Sequence, residues 1–454
     1  MISNEQGPND GIPEKLNALR GFLEPVDPSE LQTEDVPTVE VAVLDKPRTG
    51  FWTAVFWFVL FSTLFLGFFI TAVAIVKGNY SQNQKILKCV YLALGVGGIG
   101  LAFVIYSAIQ KGFTFGKAVL WCALFVVVTQ FFPLVPLTIC AIIALRFHPE
   151  IKVDDPAALM SSPGAQIFLQ GAILFCQAVT IVFSLTILRW AVGREWNRKI
   201  ALRLPNLEHV ILVAIAMPAL LIVSIALEQV LSHYLPSIKQ FGIPNVNDFV
   251  QSTATWPWGI AVLAIGIGPA IGEELWCRGF LGQGLASRYG NWGCVLLASF
   301  LFGLIHIEPP QAVGAFLMGI VLYLCYLASR SILIPMLMHF INNTLGVLDE
   351  SKTGPLPIAN TLETAYQSRP LLALSASLFV LITVGFIMYS SRVRIWAPEG
   401  AALPSASYPN VEYPLKTNAN KAEPGSTPVA AVVALVVAAC HFGAVWFGLY
   451  DRTF

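Results

Sequence analysis

Apolar runs long enough to cross a lipid bilayer recur along the chain after residue 50, and they constrain the fold more than any motif does. A hydrocarbon core of about 30 Å takes roughly 17–25 residues of helix to cross. Runs of this kind occupy 51–76, 89–109, 118–145, 165–188, 210–227, 258–280, 294–307, 312–328, 331–347, 371–389 and 429–449. About eleven transmembrane helices are therefore expected, with the run at 294–307 short for a span. In lipid every backbone N–H and C=O has to be satisfied within its own segment, which dictates helices. A transmembrane barrel would instead show alternating segments of about ten residues, and these runs do not alternate. The expected fold is all-α, a polytopic integral membrane helical bundle.

Composition agrees. Of 454 residues, 56% are hydrophobic and only 12% charged, against about 25% charged in an average globular chain. So few charges cannot cover a water-soluble surface of this size, which excludes a soluble enzyme and a disordered chain. Lys+Arg and Asp+Glu are balanced at 27 each, so no basic excess exists to draw nucleic acid. The eight cysteines all lie in or beside apolar runs without a CxxC pair. They read as buried apolar thiols, neither a disulfide framework nor a cysteine-based zinc site.

Residues 1–50 form an acidic, proline-broken tail with no basic start followed by a short apolar core. It reads as disordered and solvated, and not as a cleaved signal peptide. The N-terminal helices fill 51–190, a polar-motif core fills 205–350, and 351–454 holds two further helices linked by the Pro/Ser/Asn-rich stretch 397–427. Arg189, Arg194, Arg198, Lys199 and Arg203 are the densest basic cluster in any loop. Placing them in the cytoplasm also places 281–293, 390–427 and the N-terminus there. Lys77, Lys85 and Lys88 pull the other way. The expectation is a multi-pass protein of the cytoplasmic (plasma) membrane with a cytoplasmic N-terminus.

Three segments put polar groups where lipid should be. In the first, Gly268-Pro269-Ala270-Ile271-Gly272-Glu273-Glu274-Leu275-Trp276-Cys277-Arg278, two adjacent acids lie inside an apolar run. A charge at a bilayer centre costs at least about 2.5–3.5 kcal/mol. Glu274 and Arg278 are four apart, about 40° around a helix, so they can pair. Glu273 is rotated by about 100° and has no local partner, which suits a general base. Taken alone, the segment reads equally well as a carboxyl pair at a helix end with its arginine snorkelling. The second segment, Phe302-Gly303-Leu304-Ile305-His306, sets Phe302 and His306 on one face; a lone histidine there is more often structural. In the third, His339-Phe340-Ile341-Asn342-Asn343, His339 and Asn343 share a face, although asparagine and histidine also serve as interhelical glue. Two of only six histidines thus fall near the one intramembrane acid pair. Glu273, His306, His339 and Asn343 sit on three helices that short loops can gather into a base, two imidazoles and an amide donor.

The ordered set EELWCR, FGLIH and HFINN matches the EExxxR, FxxxH and HxxxN motifs. Residues 210–347 thereby resemble the CAAX protease and bacteriocin-processing family of intramembrane endopeptidases (often labelled Abi in bacteria), including the type II CAAX prenyl endopeptidase. The resemblance implies Glu273 as the base that activates water, with His306 holding that water. It implies His339 and Asn343 as stabilisers of the oxyanion, and Glu274 with Arg278 as a supporting pair. It further implies a peptide or protein substrate at the membrane, such as a prenylated tail or a bacteriocin-like peptide, with lipid as the other partner. Metal use stays open. Glu273, His306 and His339 could ligate zinc with an open position for water, and the family is commonly called metalloprotease, but the spacing is not HExxH and metal-free hydrolysis fits as well. Also open is a non-proteolytic membrane protein, either a proton-coupled transporter relaying protons through the same residues or an immunity or scaffold protein.

Overall fold

A computed structural model describes residues 50–109, 112–131, 163–194, 196–241, 253–350, 358–393 and 429–447. The acidic tail up to residue 49, all of the linker 397–427 and the later part of the expected span 118–145 lie outside them. Every described element is helical. In chain order these are α1 (Gly50–Lys77), α2 (Gln82–Ile109), α3 (Phe115–Val126), α4 (Pro163–Val192) and α5 (Leu207–Tyr234). The composite α6 (258–281) and α7 (Gly282–Leu304) follow, then α8 (Pro309–Ser329) and α9 (Leu333–Glu350). The chain closes with α10 (Ile358–Ser368), α11 (Pro370–Ser390) and α12 (Val429–Trp446). Among the described residues, seven helices are long and apolar enough to cross a membrane, with shorter apolar helices at Phe115–Thr129 and Leu333–Val347. Large apolar side chains such as Phe56, Val182, Ile211, Ile382 and Val433 point outward on α1, α4, α5, α11 and α12. An outward apolar surface of that extent needs lipid as its solvent. The chain is an all-α integral membrane protein.

One expected boundary moves. The runs 258–280 and 294–307 remain separate helices, but instead of a loop filling 281–293 the chain runs helically up to Gly290 and again beyond it. Its direction changes at Gly290, whose φ of 70° and ψ of −179° break the helix at one residue. Glycine adopts that conformation without the Cβ clash other residues would meet. The preceding segment stays ordered because it is packed: Leu285, Ala286 and Tyr289 are buried, and the Tyr289 hydroxyl accepts the Phe115 N–H at 3.0 Å.

The centre of the bundle is α6. Trp276 is stacked between Phe125 of α3 and Phe183 of α4, with ring centroids 4.8 and 5.3 Å away. α4 approaches closely enough that a Cβ on Gly272 would lie 2.6 Å from the Thr180 side chain, and Ser184 Oγ donates to the Gly272 carbonyl at 3.0 Å. Small residues at such crossings let helices pack where no hydrophobic force drives association. α7 packs against α8 and α1, and α9 against α6 and α8. A second apolar layer joins α5, α11 and α12 through Leu212, Ala216, Val380, Val384 and Phe442.

Candidate active site

Two π-helical turns, Val262–Ile267 and Leu275–Leu281, flank the short α-helical piece Gly268–Glu274 that carries both acids. A π-turn loosens the regular ladder and re-aims the side chains around it, a device common at functional sites. It also frees carbonyls for side-chain donors. Asn343 Nδ2 of α9 donates to the Ile265 carbonyl at 3.0 Å, and Asn342 Nδ2 donates to Asn343 Oδ1 at 3.2 Å.

The adjacent carboxylates have different surroundings. Glu274 is fully buried, and its Oε1 accepts Arg278 Nη1 at 2.6 Å and His339 Nδ1 at 3.0 Å. Arg278, also fully buried, donates Nη2 to the Gly319 carbonyl of α8 at 3.1 Å. Its guanidinium lies over Phe302 and Tyr323, 4.5 and 5.3 Å from the ring centroids. That is the setting in which a buried charge is tolerated: paired, hydrogen-bonded and stacked on aromatic faces. Glu273 is half-buried, and its buried Oε2 has no hydrogen-bond partner.

The histidines are fixed from one side. His306 lies in the turn just beyond α7, and its Nδ1 is 2.8 Å from the Phe302 carbonyl, which only a protonated Nδ1 can donate to. This assigns the tautomer and leaves Nε2 with a lone pair. Glu273, His339 and Arg278 are all close enough to act on His306 electrostatically. The turn beyond it holds Ile307 at a φ of 61°, a strained conformation for a β-branched residue. Glu308 closes that turn, its Oε2 accepting the Ile238 N–H at 2.9 Å. Phe302 touches both imidazoles edge-on, with centroids 5.1 Å from His306 and 5.6 Å from His339.

Glu273, Glu274, Arg278, His306, His339 and Asn343 are thus gathered into one polar layer inside an apolar bundle. Sequence reasoning did not reach the Gly319 carbonyl, Tyr323, Ser184 or the bridging role of Phe302. A backbone carbonyl leaves no trace in sequence, and an aromatic residue on a helix face reads as core. For zinc, the fit fails: among the described residues no group of three or more His, Cys, Asp or Glu side chains is placed to hold a metal ion.

A family model described as Type II CAAX prenyl endopeptidase Rce1-like matches residues 255–345. The match begins just before α6 and ends in α9, enclosing every residue of the polar layer. No curated protein and no solved structure matches the chain.

Proposed function

We propose, from the coincidence of the Rce1-like match with this buried polar layer, that the chain is an intramembrane endopeptidase in which Glu273 activates the attacking water. The observation that carries the reading is the division of labour between neighbouring acids. Glu274 is committed through Oε1 to Arg278 and His339, and although each acid keeps a buried Oε2 without a partner, neither Arg278 nor His339 is bonded to Glu273. A carboxylate in that position can take a proton from water.

The chemistry follows from the donors and acceptors present. The lone pair on His306 Nε2 accepts one water hydrogen and orients the molecule. Glu273 removes the other proton as the water oxygen bonds to the scissile carbonyl carbon. The carbonyl oxygen becomes an oxyanion, which takes the Asn343 Nδ2 hydrogen not used by Ile265. His339, held at Nδ1–H by Glu274, would donate from Nε2 in its imidazolium form, the one form in which both ring nitrogens carry hydrogen. Collapse of the intermediate breaks the C–N bond, and the proton held by Glu273 passes to the departing amine. The substrate is the peptide bond of a membrane-associated chain, of which a prenylated tail or a bacteriocin-like peptide is the type.

The test is cleavage of lipidated and unlipidated peptides by the purified full chain in detergent. Glu273→Ala, His306→Ala and His339→Ala each abolish cleavage on this reading. Undiminished cleavage in the three variants would overturn it, and proton-coupled uptake in proteoliposomes that depends on the same residues would establish a transporter instead.

A further inference from the structure

A second concentration of cations sits where four helix ends meet, away from the polar layer. The end of α4, the start of α5 and the ends of α8 and α11 are joined through their connectors. Arg203 donates Nε to the Arg330 carbonyl and Nη2 to the Ser329 carbonyl, both at 2.8 Å, and Nη1 to the Leu204 carbonyl at 3.2 Å. Arg330 donates Nε to the Val393 carbonyl at 3.0 Å, and Ser331 Oγ donates to the Arg203 carbonyl at 2.5 Å. His209, fully buried, contacts the Ser391 carbonyl and hydroxyl through Nε2, both at 3.2 Å.

Capping accounts for part of this, since the last carbonyls of a helix need donors. It does not account for the charge. The Arg203 charge acts on Arg330, and no described carboxylate is among the groups that shift either arginine; exposed Glu208 acts on His209. Burial pulls Arg203 below the usual arginine range, and burial with the Arg203 charge beside it pushes Arg330 down to about 10. Arg330 Nη1 and His209 Nδ1 are buried without a hydrogen-bond partner. A paired, desolvated double positive charge with an orphaned guanidinium nitrogen is complementary to a phosphate oxygen, which the planar arginine fork recognises well.

The location selects the kind of phosphate. At this end of the bundle Trp190 and Tyr389 face outward, as aromatic residues do at a membrane–water interface. Leu204, on the connector that carries Arg203, and Leu207, the first residue of α5, are 82% and 72% exposed. Apolar side chains held outward beside a desolvated cation pair suit a molecule with a charged head and acyl chains. We propose that Arg203 and Arg330 form a headgroup site for an anionic phospholipid, with the phosphate on Arg330 Nη1 and the chains along Leu204 and Leu207. The bound lipid would pin together four helix ends, including that of α8, whose Gly319 carbonyl holds Arg278.

Thermal unfolding of the full chain in a neutral detergent tests this, with added short-chain phosphatidylglycerol, phosphatidylcholine or inorganic phosphate. Phosphatidylglycerol is expected to raise Tm with half-saturation about tenfold below that of phosphatidylcholine, the worth of one charge-assisted contact. High salt should erase that preference. Arg330→Gln should lose it while Arg330→Lys keeps part of it. Equal responses to the two lipids, or a preference that survives Arg330→Gln, overturn the proposal. The full shift from inorganic phosphate alone would assign the site to a soluble anion and equally overturn it. Should Arg330→Gln not fold, the salt response of the unmodified chain decides, a salt-independent preference counting against the site.

Discussion

Oε1 of Glu274 lies 3.0 Å from His339 Nδ1, and the same oxygen lies 2.6 Å from Arg278 Nη1. One carboxylate therefore ties α6 to itself and to α9, and sets which imidazole nitrogen of His339 is left for substrate. Glu273, the preceding residue, carries none of that structural load. The two acids should consequently fail in different ways when altered. Glu274→Gln leaves Arg278 charged and unpaired in a dry site, so stability is expected to fall by about 3–5 kcal/mol, with cleavage lost as His339 is freed. Glu273→Gln should leave Tm nearly unchanged and lower turnover by about 10²–10⁴-fold, the usual worth of a general base. Tm and cleavage rate measured on both variants check this, and a swap of the two phenotypes would reverse the assignment of roles.

Asn343 donates to the Ile265 carbonyl, yet an amide nitrogen has a second hydrogen. If that hydrogen meets the oxyanion, its benefit arises mainly in the transition state. Asn343→Ala is then expected to lower kcat by about 10²–10³-fold while changing KM little. The lost bond to Ile265 adds a stability cost of about 1 kcal/mol, readable separately by thermal unfolding. A variant with unchanged kcat and raised KM would make Asn343 a binding residue instead.

Much of this layer is legible in the sequence, and the illegible parts have a common cause. The Glu274–Arg278 pair follows from a spacing of four on one helix, and the observed contact needs nothing else. The Glu274–His339 bond spans 65 positions and depends on how α9 crosses α6, which the close approach at Gly266 settles: a Cβ there would sit 2.5 Å from Thr344 Oγ1. No local pattern encodes that crossing. The expected loop 281–293 narrows to a single break at Gly290 for a similar reason. Its polar residues Gln283, Ser287 and Arg288 suggest solvent, but Leu285, Ala286 and Tyr289 are buried against α3 and the chain turns only at Gly290. Hydropathy counts residues and does not see which face they occupy.

Metal dependence can be tested directly. The described carboxylates, imidazoles and thiols form no set of three placed to hold one metal ion. A site that held catalytic zinc would usually present three such ligands with an open fourth position. Cleavage is therefore expected to persist after prolonged dialysis against a chelator, followed by rate and by metal content. Loss of activity that added zinc restores would show that Glu273, His306 and His339 rearrange around a metal.

Gly303, inside the FGLIH segment, controls where His306 ends up. A Cβ built on it would sit 2.5 Å from the Ala312 carbonyl oxygen and 3.1 Å from the Phe316 Cβ. Backbone cannot rotate out of the way as a side chain can, so α7 and α8 would have to separate. Gly303→Ala is expected to cost about 1–3 kcal/mol, the range for overpacking a filled interior. The same displacement would move Phe302 off Arg278 and shift His306 from the water it orients, so cleavage should fall further than the unfolded fraction explains. Gly314, on α8, has nothing within 4 Å of an added Cβ. Gly314→Ala should therefore be neutral or stabilise by up to about 1 kcal/mol through helix propensity. Thermal unfolding and cleavage rates of the two variants, side by side, separate the effect of close approach from that of losing a glycine. Equal behaviour of the pair would show that the α7–α8 contact is not as tight as its geometry requires.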